Sequence, residues 1–269
     1  MRLAKILAAA AAFAFSVAGA RAADTGVQSY LLLKYATPAA GQEAAYDAWR
    51  RNTQAPAYFH VAGIGSAQFY ELADTQNRPR QAGVKPEIPL PAKFLTVYTI
   101  STTKLDATLK ASFDAVKTAK GAPAPATAAR YDWVYRAITP LHPSTATNPE
   151  TGTLNTYKLF VYVNSKPGRD DQFNEEYNST HAPGVLDNRG FTDWQRFVLD
   201  DKQLDTTPNN KYLALYTIRT ADLKTVYEDM KKKRVDRPQT AGPDPREAQA
   251  YDYSNDYSES YKMTGEAAK

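Results

Sequence analysis

The sequence predicts an α+β protein built from one β-α-β-β-α-β unit written twice. Three observations predict it: an ordered self-match between the halves of the chain, strand-like runs rich in Tyr, Leu and Val at matching places, and polar amphipathic stretches between those runs.

The self-match is gapless over a long stretch. A shift of 127 residues lays Ser29 to Asp74 on Thr156 to Asp201. Tyr30, Leu32 and Tyr35 then meet Tyr157, Leu159 and Tyr162; Gly41 meets Gly168; Ala55-Pro56 meets Ala182-Pro183; and Gly63, Gln68 and Asp74 meet Gly190, Gln195 and Asp201. A shift of 118 aligns Lys93 to Ile100 with Lys211 to Ile218, and a shift of 120 aligns Tyr131-Asp132 with Tyr251-Asp252.

Each copy opens with an apolar, aromatic strand, Tyr30 to Ala36 or Tyr157 to Val163. A turn with Pro or Gly leads into a polar amphipathic helix, Gln42 to Asn52 or Arg169 to Asn178. A second strand follows a glycine (Ile64 to Leu72; Phe191 to Leu199), and a third follows a polar loop (Phe94 to Ile100; Tyr212 to Ile218). The second helix is opened by Ser101 or Thr102 in one copy and by Thr220 in the other, hydroxyls able to cap free amides. An aromatic fourth strand closes each unit, Tyr131 to Ile138 and about Tyr251 to Tyr261.

That order is the split βαβ, or ferredoxin-like, motif. One such unit has helices on one sheet face and needs a cover for the other, so the expectation is two units packed sheet to sheet with a ligand cavity between them. The expected division is a signal peptide at 1–22, a first unit at 23–140, a linker at 141–155 and a second unit at 156–269. Gln76 to Pro91 and Pro140 to Asn155, rich in Pro, Thr, Asn and Ala, read as loop and linker.

The first residues carry Arg2 and Lys5, an apolar run from Ile6 to Ala20 and the small-x-small signal Ala20-Arg21-Ala22. Those regions, in that order, read as a secretory leader cleaved near Ala22, placing the mature protein in the periplasm or outside the cell. The run is shorter than the roughly 20 residues a membrane helix needs, so no membrane span is expected. Removing Arg2, Lys5 and Arg21 from the 33 basic residues leaves 30 against 29 acidic, so the net charge of +4 falls to about +1. Nucleic acid is not an expected partner on that balance. With no cysteine, thiolate metal sites, iron–sulfur clusters and cysteine nucleophiles are excluded. The three histidines, His60, His142 and His181, form no short-spaced pair, and no metal site is expected. Phosphate-loop, G-x-S-x-G and H-E-x-x-H motifs are lacking too.

The segment Phe173 to Leu186, with His181 two residues before Pro183, then Gly190-Phe191 and Gln195-Arg196-Phe197, resembles the EthD-like branch of the dimeric α/β-barrel superfamily. Lys211 to Ile218 is similar to that family's third strand. The resemblance covers nearly all of the second copy; in the first it is partial, because Gln54 stands where His181 stands in the second. It implies a pseudo-dimeric α/β barrel with a cavity for small aromatic or polyketide-like molecules. Its members are cofactor-free cyclases, isomerases, monooxygenases or accessory proteins, and related fused barrels that bind heme keep heme open as a cofactor.

His181 is the leading candidate acid or base, since imidazole titrates near neutrality. Asp187 could orient it or take a proton itself, or serve only as turn chemistry. Arg196 shares strand parity with Trp194 and could hold a carboxylate, phenolate or enolate if their face lines the cavity. Tyr177, Tyr162, Tyr216, Tyr35 and Tyr98 are candidates for an aromatic wall, with core packing the competing account. His60 could reach the cavity from the other half, while His142 in the linker is given no role.

Two readings follow. The first is an exported enzyme without a bound cofactor, a lyase or isomerase type, working by acid–base chemistry on a small aromatic or conjugated molecule. The second is a periplasmic binding protein for a hydrophobic ligand such as heme, with His181 as axial ligand. A fused pair can close its own barrel yet expose strand edges, which leaves a homodimer open.

Overall fold

The computed structural model describes residues 26–77, 91–119, 121–123, 125–145, 150, 152–204, 207–235 and 250–269. The expected leader and most of the Gln76 to Pro91 loop lie outside the described residues. Among the described residues, no helix is long and apolar enough to cross a membrane.

The chain runs β1 (Gln28–Pro38), α1 (Glu43–Trp49), a π-helical turn (Arg50–Gln54), α2 (Ala55–Phe59), β2 (Ile64–Leu72), β3 (Phe94–Thr102), α3 (Leu105–Thr118) and β4 (Pro125–Ala137). A two-residue β5 (His142–Pro143) lies in the expected linker. Then come β6 (Asn155–Ser165), α4 (Asp170–Glu176), a second π-turn (Tyr177–His181), α5 (Ala182–Leu186), β7 (Phe191–Leu199), β8 (Tyr212–Thr220), α6 (Leu223–Val235) and β9 (Tyr251–Ala268).

The expected pair of ferredoxin-like units packed sheet to sheet as a pseudo-dimeric α/β barrel is overturned. All the main strands belong to one sheet, in the order β4-β1-β3-β2-β9-β6-β8-β7, and β4 pairs with β7 to close it. The result is a closed antiparallel barrel of eight strands, mostly sheet, with short helices outside it. Two packed sheets would each keep two edges of unpaired N–H and C=O groups. Here Ser66 to Leu72 of β2 pair with Tyr261 to Ala268 of β9, and Tyr135 to Ala137 of β4 pair with Phe197 to Leu199 of β7, so those edges are spent on one another. Strand patterning in a sequence shows which residues alternate, not which edges meet.

Closure also explains the unbroken apolar runs. Strand residues alternate between the interior and a face lying under helices. Leu31, Leu33 and Tyr35 belong to the barrel core with Trp133, Tyr162, Phe197 and Tyr257, whereas Tyr30 and Leu32 pack under α2 and α3 with Tyr58, Leu105 and Leu109. Leu31-Leu32-Leu33 therefore buries both faces. These side chains pack in the barrel interior, and a cavity of about 10 Å³ lies at one end beside Lys158 and Asp193. That end is polar: the buried Lys158 ammonium donates to Thr217 and lies 3.5 Å from the Asp193 carboxylate.

Glycine is required where β2 and β7 begin. Gly63 has φ +91° and Gly190 φ +81°, and a Cβ on Gly63 would stand 2.9 Å from the Ser101 carbonyl oxygen.

Candidate active site

Both helical segments have the same build: seven α residues, five in a π-turn, five more in α geometry. The expected first helices, Gln42 to Asn52 and Arg169 to Asn178, thus continue to Phe59 and Leu186. A proline inside a helix removes one ladder bond and crowds the carbonyl a turn earlier, and a π-turn just ahead of it absorbs both effects. Pro56 and Pro183 stand at the starts of α2 and α5, directly after the turns. Gln54 and His181 therefore end π-turns within a helix.

Arg196 on β7 is fully buried, under the helical layer and not inside the barrel. Its guanidinium carbon lies 4.3 Å from the Tyr177 ring centre, 4.9 Å from Phe173 and 5.2 Å from Tyr212. Nη1 donates to Asn178 Oδ1 at 2.9 Å, while Nε and Nη2 are buried with no hydrogen-bond partner among the described residues. Tyr216 on β8 donates its hydroxyl to that of Tyr177 at 3.2 Å. The half-buried His181 ring sits 4.6 Å from Tyr177 and 5.7 Å from Tyr251, and Tyr251 donates to the buried Glu176 carboxylate at 2.5 Å.

Burial pushes the Tyr177 hydroxyl up to about 12, against the Tyr216 hydrogen bond and the Arg196 charge, which both pull it down. Burial also drives Tyr216 well above the ordinary tyrosine range, so at neutral pH both are uncharged donors. The same burial lowers Arg196 from its ordinary value, opposed by the surrounding tyrosines; a guanidinium remains a cation nonetheless. A buried cation with two unspent donors, tyrosine hydroxyls and a neighbouring imidazole form an arrangement suited to holding a developing oxyanion.

Of the other expected site residues, the structure brings few to this cluster. Asp187 caps the end of α5, exposed, its backbone carbonyl accepting from Lys233 Nζ at 2.8 Å. Trp194 shares the outer face with Arg196, as parity requires, but stacks on His142 of the linker at 4.3 Å. Tyr35 and Tyr162 point into the barrel, hydroxyl to hydroxyl. Tyr98 lies under the first helical layer, stacked 4.3 Å from Tyr58, with its hydroxyl 3.4 Å from Gln54 Oε1. His60 is exposed beyond α2. The aromatic wall is thus split three ways by strand alternation.

Sequence reasoning missed the buried ion pair of Lys34 and Asp132 on β1 and β4, under the first helical layer. A signal existed: each is a lone charge inside an apolar or aromatic strand, Leu33-Lys34-Tyr35 and Tyr131-Asp132-Trp133. Beside the pair lies a cavity of about 110 Å³, and His181 is not among the residues lining it.

No protein-family model and no curated protein matches the sequence. Among solved structures, the chain is similar to an anthrone oxidase-like protein, with a TM-score of 0.55 at 11% identity over 90% of this chain and 93% of that one. A proposed monooxygenase from Lactobacillus acidophilus gives 0.46 at 9% identity, over 90% and 96% of the chains. An encapsulated DyP-type peroxidase from Mycobacterium smegmatis gives 0.42 at 12%, over 87% and 92%. At such identity the first likeness establishes a shared fold and no chemistry; the other two are too loose to carry an argument.

Proposed function

We propose that the chain is an exported enzyme without a bound cofactor, performing acid–base chemistry on a small aromatic or conjugated molecule whose oxygen becomes anionic beside Arg196. The observation that carries this is the buried guanidinium whose Nε and Nη2 find no acceptor among the described residues, since native interiors rarely leave such donors unspent. His181 takes the proton from a carbon next to a carbonyl, the C–H electrons move onto the oxygen as an enolate, and Arg196 and Tyr177 hold that charge. Return of the proton at another carbon completes an isomerisation; loss of a leaving group instead completes a lyase or dehydratase step. Asp187, exposed at the helix end, moves no proton in this scheme.

The anthrone oxidase-like neighbour is compatible with an aromatic substrate class. The matching α-π-α segments support an internal duplication from an EthD-like unit, with reactive groups kept in the second copy. The test is His181→Ala against metabolites recovered with the purified protein. Expected are a native melting curve, retained binding of an aromatic carboxylate such as benzoate, and no turnover. A full rate would refute the assignment. A Soret band on heme titration that vanishes in the same variant would replace it with the heme-carrier alternative.

A further inference from the structure

Over the first half, the outer face of β1 and β4 and the segment from α1 to Gln54 enclose the cavity of about 110 Å³. Its lining residues include Lys34, Ala36, Tyr46, Trp49, Gln54 and Asp132. The volume is about what admits one aromatic ring. Two of the lining side chains are incomplete: Trp49 Nε1 and Asp132 Oδ1 are buried with no hydrogen-bond partner among the described residues, in residues each only 8% exposed. One is a donor without an acceptor, the other an acceptor without a donor. The Lys34 ammonium neutralises Asp132 through the other carboxylate oxygen, so the pocket carries no net charge to spend on an ion.

We propose that this cavity is a second ligand site, binding a neutral, hydroxylated single aromatic ring of phenol size. The ligand's hydroxyl would donate a hydrogen bond to Asp132 Oδ1 and accept one from the Trp49 indole N–H, with the ring against the lining residues Tyr46 and Ala36. A carboxylate of the same size is refused, because its oxygens would face Asp132 with no proton to offer. The two halves thereby select opposite partners, a neutral hydroxyl over β1 and an anionic oxygen over β7, and this site stands or falls independently of the Arg196 chemistry.

The test is calorimetric titration of the full chain at pH 7 with phenol and, separately, benzoate. Phenol is expected to bind saturably and benzoate not to compete with it. Ala36→Leu, which fills the cavity, abolishes phenol binding; Trp49→Phe, which keeps an aromatic side chain and removes the donor, weakens it about tenfold. Arg196→Met leaves phenol binding unchanged. No saturable phenol binding, binding untouched by both first-half variants, or loss of phenol binding in Arg196→Met would each overturn the proposal. Should Ala36→Leu fail to fold, Trp49→Phe decides.

Discussion

Replacing Arg196 by methionine separates a structural arginine from a functional one. The side chain gives up the charge-assisted bond to Asn178, worth about 2 kcal/mol. It also gives up three aromatic contacts at 4.3 to 5.2 Å, together about 2 kcal/mol. Against these stand two buried nitrogens, Nε and Nη2, with no acceptor among the described residues, whose relief returns about 4 kcal/mol. The terms cancel, and methionine keeps most of the packing volume under the rings. Denaturant unfolding should therefore find Arg196→Met within about 1 kcal/mol of the parent, a melting shift of no more than about 2–4 °C. Binding of an anionic aromatic probe should be lost in the same sample. A loss of stability above about 3 kcal/mol would show that Arg196 is paired and holds the fold, and the oxyanion assignment would go with it.

Lys34→Met should cost about 3–5 kcal/mol by leaving the Asp132 carboxylate buried alone, and Lys34→Met/Asp132→Leu should recover most of it, as read by urea unfolding. Gly63→Ala should destabilise by about 2 kcal/mol and Gly190→Ala by about 1, because a Cβ meets a backbone oxygen at 2.9 Å in the first and 3.3 Å in the second; thermal melts of the two variants check the order. Burial raises the Asp170 carboxyl, but hydrogen bonds from Lys211, Ser165 and Tyr212 outweigh that and hold it at about 2. A depressed carboxylate contributes stability above its unfolded value of 3.8, and that share disappears as the pH falls through about 2. Asp170→Asn should flatten the melting profile in that window.

Much of the scaffold was legible because strand and helix signals are local. Tyr30 to Ala36 and Tyr212 to Ile218 announce themselves by composition, and the glycines before β2 and β7 mark turns that only a residue without Cβ tolerates. Closure was illegible, since β2–β9 and β4–β7 pairing depends on which edges find each other across the chain. Wall and core packing could not be told apart for the tyrosines, because a type repeated at matched places does not reveal which side of the sheet it faces. Tyr35 opposes Leu95, and Tyr98 opposes Leu32, so the two rings take opposite faces of neighbouring strands. For Arg196 and Trp194, parity was read correctly as a shared face, but the face is the outer one. The π-turns left no mark that helix periodicity could detect; only Pro56 and Pro183, a few residues too early for helix ends, hinted at them.

The eighteen residues of β9 bridge the two halves, pairing with β2 on one side and β6 on the other. Thr264 bonds to the carbonyl of Phe69 across a separation of 195 residues. Contacts of that span are entropically costly to form. Until β9 arrives, β2 and β6 each present an open edge, which gives this barrel a sticky interval in its assembly that the finished ring conceals. Docking of β9 is therefore the step that hides both edges at once, the one on which escape from edge-to-edge aggregation depends.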